Sequence, residues 1–79
     1  MIEPILLSEL PVGATAKVIA VDAPGPLGTR LRDLGLHPGT VVHCLRRAPL
    51  GDPRIYELRG VQLCLRSSEA GLVRVNTDD

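Results

Sequence analysis

The sequence predicts a mainly β domain, a small closed or nearly closed barrel of about five short strands with two or three short helices. Three observations lead there. The chain has 79 residues, which is room for one domain, and a fold of that size buries only roughly 60 to 65% of its unfolded surface. Its apolar content is 44% with one aromatic residue, Tyr56, so thirteen Leu, eight Val and four Ile must build the interior. Eight glycines and seven prolines break the chain into short segments, and short strands, tight turns and single-turn helices in so few residues favour a barrel. Closure would remove the exposed edges that such strands otherwise present.

The elements follow in order. Leu6 to Pro11 predicts one helical turn, with Ser8 as N-cap and Pro11 as its stop, and Gly13 releases the chain into a strand. Ala14 to Val21 is too densely apolar at Val18, Ile19 and Val21 for a strand with one wet face. It predicts a barrel strand that can carry a bulge. Asp22 to Pro26 forbids regular structure and ends in Pro26, a good first residue for a helix. In that helix Leu27, Leu31 and Leu34 recur at i, i+4 and i+7 and form one stripe, expected to be mainly core, with Leu27 its most exposed member.

Gly35 sits where a left-handed C′ residue belongs, and Leu36 is placed to fold back on Leu31 in a Schellman ending. Pro38-Gly39 predicts a type II turn. Thr40 to Arg47 is a second strand, with Val42 and Cys44 on one face and Val41, His43 and Leu45 on the other. Ala48 to Pro53 is a loop by any turn rule. Arg54 to Leu58 and Val61 to Leu65 form a hairpin turning at Gly60, with Val61, Leu63 and Leu65 expected inward. Ser67 or Ser68 caps a turn ending at Gly71. Leu72 to Val75 is a last strand with Val73 and Val75 inward, and Asn76 to Asp79 a polar tail.

Composition excludes several function classes. One tyrosine is too few aromatics for base stacking on single strands or for gripping proline-rich peptides. Nine Lys and Arg against nine Asp and Glu give zero net charge, so no general attraction to nucleic acid or anionic lipid follows. Zero net charge also does little to oppose self-association. The first seven residues lack the features of a secretory signal, and no stretch approaches the roughly 20 apolar residues of a membrane span. These features predict a cytosolic chain whose Cys44 and Cys64 stay reduced, at a spacing that fits neither a redox pair nor a zinc finger. His43 and Cys44 point to opposite strand faces and cannot cooperate as a nucleophile and base, so both cysteines are expected to be buried structural thiols.

Leu7-Ser8-Glu9-Leu10, Gly13, the run Arg30-Leu31-Arg32-Asp33-Leu34-Gly35-Leu36-His37-Pro38-Gly39-Thr40, Ala48-Pro49-Leu50-Gly51-Asp52-Pro53, and Val61 to Arg66 with Glu69-Ala70 together resemble the FeoA family. These are small cytosolic proteins of bacterial ferrous iron uptake, and the likeness covers about Leu7 to Val75. It implies an SH3-like barrel over the single domain 1–79, a non-enzymatic role, and action on the FeoB membrane permease, whose cytosolic portion carries a GTPase domain. The same domain type occurs as the C-terminal module of iron-dependent repressors of the diphtheria-toxin-repressor kind. The alternative is therefore a regulatory or oligomerisation domain in a DNA-binding assembly.

On either reading the chain is a binding module, and its candidate partner surface combines Leu27 and Arg30 on the helix with Leu50, Gly51, Asp52 and Pro53 in the loop. Leu50, flanked by Pro49 and Gly51, either packs locally or meets a partner, and the two prolines lower the ordering cost of binding. Arg46-Arg47 is expected to be a solvated strand end rather than a phosphate site. No cofactor is required. A divalent ion, iron or zinc, would use His37 and His43; together with Cys44, Cys64, Asp33, Asp52, Asp78 and Asp79 they fall at no recognised ligand spacing, so a surface His would share the ion with carboxylates of a second chain. Nucleic acid and direct membrane insertion are not expected, and weak self-association is.

Overall fold

The structure, a computed structural model, describes residues 4–77. Six strands form one antiparallel sheet: β1 (Ile5–Leu6), β2 (Thr15–Val21), β3 (Val41–Arg47), β4 (Arg54–Leu58), β5 (Val61–Leu65) and β6 (Val73–Thr77). Their order is β1-β6-β2-β3-β4-β5. A 3₁₀ turn (Leu7–Glu9), α1 (Gly25–Asp33) and α2 (Ser67–Ala70) interrupt them. This is the mainly β, SH3-like architecture expected, with one more strand, because β1 is too short to leave a hydrophobic alternation in the sequence.

The sheet curls without closing. β2 bulges between Val18 and Ala20, and β3 between Cys44 and Arg46, and each bulge bends its strand and increases the local twist. The inner face of β4 thereby comes to the 3₁₀ turn. The Tyr56 hydroxyl donates to the Leu7 carbonyl at 3.2 Å, and Arg54 Nη1 donates to the Leu10 carbonyl at 2.9 Å. Side chains rather than a strand ladder bridge the gap, and among the described residues β1 and β5 remain the two edges.

The core is aliphatic around that one ring. Leu7, Leu10, Leu31, Leu36, Val42, Tyr56, Leu65, Val73 and Val75 are fully buried, and each aliphatic side chain so buried contributes about 1.5–3 kcal/mol. Burial pushes the Tyr56 phenol up from its ordinary value of 10.0 to about 12, against the opposing pull of the Arg54 charge.

α1 ends as the sequence predicts. The Leu36 amide donates to the Leu31 carbonyl at 3.4 Å and the Gly35 amide to the Arg32 carbonyl at 2.9 Å, the two bonds of a Schellman motif. Gly35 has φ +108°, and a Cβ there would stand 2.8 Å from Leu58 Cδ1, so both backbone and space require glycine. At Gly28 the constraint is space alone, since a Cβ would meet the Ala23 carbonyl oxygen at 1.9 Å. The Thr40 amide closes the Pro38-Gly39 turn on the His37 carbonyl at 3.0 Å.

Several expectations are corrected. Of the leucine stripe only Leu31 is buried: Leu27 is exposed as expected, at 37%, but Leu34 is equally so, at 39%, because a nine-residue helix lying on a curled sheet covers a narrow line of contact. Pro26 is the second helical residue, behind Gly25. Ser8 does not cap the 3₁₀ turn: the Glu9 carboxylate reaches back to the Leu6 amide at 2.8 Å. In β5 only Leu65 is fully buried. Val61 is exposed and Leu63 half-buried, because among the described residues β5 is an edge of the sheet. Cys64 is exposed on that edge, whereas Cys44 is buried as expected. Asn76 and Thr77 continue β6 instead of starting a tail, while Asp78 and Asp79 lie outside the described residues.

Candidate interaction surface

The loop between β3 and β4 is short, cyclic in its bonding, and tipped by a leucine. Pro49 occupies the second position of a turn closed by the Gly51 amide on the Ala48 carbonyl at 2.7 Å. The Ala48 amide donates to the Pro53 carbonyl at 2.9 Å and closes the base of the loop. Between these bonds Leu50 is 96% exposed. Local packing of Leu50 is thus overturned, because the backbone bonds that shape the loop aim its side chain away from every apolar neighbour.

Asp52 ties this loop to α2. One carboxylate oxygen accepts from the Ser67 amide at 2.8 Å and from the Ser67 hydroxyl at 3.3 Å. Neither Ser67 nor Ser68 is the N-cap, which is Arg66. Asp52, fifteen residues earlier, supplies an acceptor to an otherwise orphaned first-turn amide. Glu69 secures the other side. Its Oε1 accepts from the Arg66 amide at 3.0 Å, and its Oε2 lies 3.1 Å from Arg30 Nη2 on α1.

The two halves of the predicted surface are therefore joined through α2, in the sequence Arg30, Glu69, Ser67, Asp52. The Arg30 side chain is 59% exposed, so its pair with Glu69 contributes about 0–1 kcal/mol and acts chiefly as a positioning contact. Leu27, three residues before Arg30 on α1, presents over a third of its surface.

Two shallow clefts flank the loop, of about 540 and 300 Å³. Both are lined by Arg46, Arg47, Ala48 and Pro49, the larger also by Val12 and the smaller by Ile55. Arg46 and Arg47 are exposed, as a solvated strand end should be, but they also give the ground around Leu50 a positive charge. Val12, 48% exposed, is the apolar residue that sequence reasoning passed over. Its neighbours Pro11 and Gly13 mark a turn and say nothing of the loop it faces.

The candidate metal residues do not converge. His37 stands exposed in the turn after α1; His43 on the outer face of β3 has Nδ1 2.7 Å from Thr15 Oγ1. Among the described residues no three His, Cys, Asp or Glu side chains come together as one set of ligands. The donors among the described residues do not fit a closed metal site. Among the same residues no helix is long and apolar enough to cross a membrane.

Fold and surface together define a small antiparallel β module that offers a stiff, leucine-tipped contact. The chain belongs to the FeoA family, a family linked to ferrous iron transport: a FeoA domain model matches residues 5–77. It is similar to the FeoA protein of Chlorobium tepidum, with 40% identity, a TM-score of 0.87, and coverage of 95% of this chain and 71% of that one. It is also similar to Stenotrophomonas maltophilia FeoA complexed with zinc, at 35% identity and TM-score 0.81, covering 90% and 88% of the two chains. That protein is described as a prokaryotic SH3 domain protein and a candidate ferrous iron transport activating factor. The likeness to T. acidophilum IdeR, at 17% identity, TM-score 0.81 and coverage of 95% and 34%, is one of fold alone.

Proposed function

We propose that this chain is a non-catalytic accessory of ferrous iron transport that docks on the cytosolic portion of a FeoB-type permease and supports or regulates uptake. The observation that carries the reading is Leu50, held 96% exposed on a loop fixed by its own backbone and by Asp52. A rigid apolar tip binds without a large ordering cost, and a few residues seated in well-packed pockets near the centre of a patch carry most of an interface's binding energy. Arg46 and Arg47 beside it favour an apolar pocket with an acidic rim, while Leu27 and Arg30 extend the contact along α1.

Iron is the cargo of the transporter in this reading, not a resident group. Iron or zinc at His37 or His43 would draw on carboxylates of a second molecule, since the donors among the described residues do not meet.

The test is pull-down of the permease's cytosolic portion together with ferrous iron uptake in cells. Leu50→Asp and Leu27→Asp should each weaken both while the purified variants keep the wild-type circular dichroism spectrum. Unchanged capture and uptake with the double variant would sink the proposal.

A further inference from the structure

The hairpin register fixes which backbone groups of β5 are free. Arg59 and Gly60 form a two-residue turn with φ 52° and 79°, so Leu58 and Val61 are the closing hydrogen-bonded pair. Alternation then sends the amides and carbonyls of Val61, Leu63 and Leu65 toward β4, opposite Leu58, Tyr56 and Arg54. Those of Gln62 and Cys64 point away from the sheet. Among the described residues no hydrogen bond reaches them, and β5 is the last strand of the ladder.

This edge lacks the usual protections. Val61-Gln62-Leu63-Cys64-Leu65 has no charge, no proline and no bulge, features with which proteins blunt an exposed strand. Val61 is 61% exposed, and Leu63 is half-buried at the rim of the core, so the edge is apolar on its inner side. A second copy would bring a neutral strand to a neutral strand, in a protein of zero net charge.

We propose that two copies of this chain pair edge to edge through antiparallel β5 strands, in one register. Centring the pair on Leu63 sets Gln62 of each copy opposite Cys64 of the other and uses all four free groups of each strand. Centring it on Gln62 would need Gly60, which is turned at φ +79°. Centring it on Cys64 would need the Arg66 amide, which already donates to Glu69 at 3.0 Å. In the chosen register Leu63 faces its symmetry mate and Val61 faces Leu65, so the exposed inner rim is covered. The contact is five residues long, and the dimer it makes is weak and concentration-dependent.

Cross-linking tests the register. Opposed residues of a hydrogen-bonded pair lie about 5.5 Å apart at Cα, within disulfide reach, so Gln62→Cys should cross-link to Cys64 of the second copy under diamide. We expect covalent dimer at least tenfold faster than with wild type or with Gln62→Cys/Cys64→Ser. Wild type cross-linking as fast as Gln62→Cys, or no excess over the double variant, overturns the register. In sedimentation velocity the wild-type mass should rise toward twice the monomer with concentration. Gln62→Pro, which removes an amide that no intrachain bond uses, should stay monomeric with its fold intact. A monomeric wild type whose Gln62→Pro variant loses permease capture would instead assign the edge to a strand of that partner and overturn self-pairing. Leu50→Asp should leave cross-linking unchanged, so failure of the docking surface and failure of the edge pairing are separable.

Discussion

Asp52 accepts two hydrogen bonds from Ser67, one from its amide at 2.8 Å and one from its hydroxyl at 3.3 Å, and so fastens the loop between β3 and β4 to the start of α2. The carboxylate is exposed but its bond to the amide is charge-assisted, the stronger kind. Asp52→Ala should cost about 1 kcal/mol in urea denaturation, comparable to loss of a helix cap. The same variant should raise the mobility of residues 49–53 in amide relaxation measurements; an unchanged loop would show that backbone bonds alone hold it.

Leu50 should contribute nothing to stability. Its side chain is 96% exposed, and surface substitutions without partners usually stay within about 0.5 kcal/mol. Leu50→Asp is expected to keep the wild-type Tm within a few degrees while permease capture falls at least tenfold.

Leu31 and Leu34 are three residues apart on α1 and should behave oppositely. Leu31 is fully buried and Leu34 is 39% exposed. Leu31→Ala should therefore cost about 2–5 kcal/mol, and Leu34→Ala a fraction of that. Equal losses in urea titrations would mean that the helix buries both.

Tyr56 makes stability sensitive to alkali. Its folded pKa of about 12 lies above the ordinary value of 10.0, so between those values the native state holds a proton that the unfolded chain releases. Stability is full below pH 10 and should fall as pH rises through 12, by about 2–3 kcal/mol in all. Tyr56→Phe removes the bond to the Leu7 carbonyl, costs about 1 kcal/mol near neutral pH, and should abolish that slope in pH-dependent urea denaturation.

Gly35→Ala should cost about 1–2 kcal/mol through its positive φ alone. The close approach of Leu58 Cδ1, 2.8 Å from a Cβ at that site, adds to it. Thermal melts of the variant check both, and a second substitution Leu58→Ala should recover none of the backbone share.

What the sequence shows best is whatever is written within a few residues. Gly35 and Leu36 announce the helix ending, and Pro38-Gly39 the turn, because each uses residue types that few other conformations favour. The β2 bulge was legible in a run too apolar for simple alternation. The bonds that assemble the candidate surface were not. Asp52 finds Ser67 fifteen residues away and Arg30 finds Glu69 three strands later in the chain, contacts decided by tertiary approach and by no local signal. Burial in β5 failed for a related reason: Val61 alternates like a core residue, but exposure depends on its strand being last in the sheet.

Because the loop from Ala48 to Pro53 is shaped by backbone bonds and by the Asp52 carboxylate, the residue at its tip is free of structural duty. Position 50 is a socket whose occupant can be exchanged without retuning the rest of the molecule. In the docking proposed above, a lineage can follow drift in the permease by changing one side chain, leaving the folding free energy and the neighbouring geometry as they were.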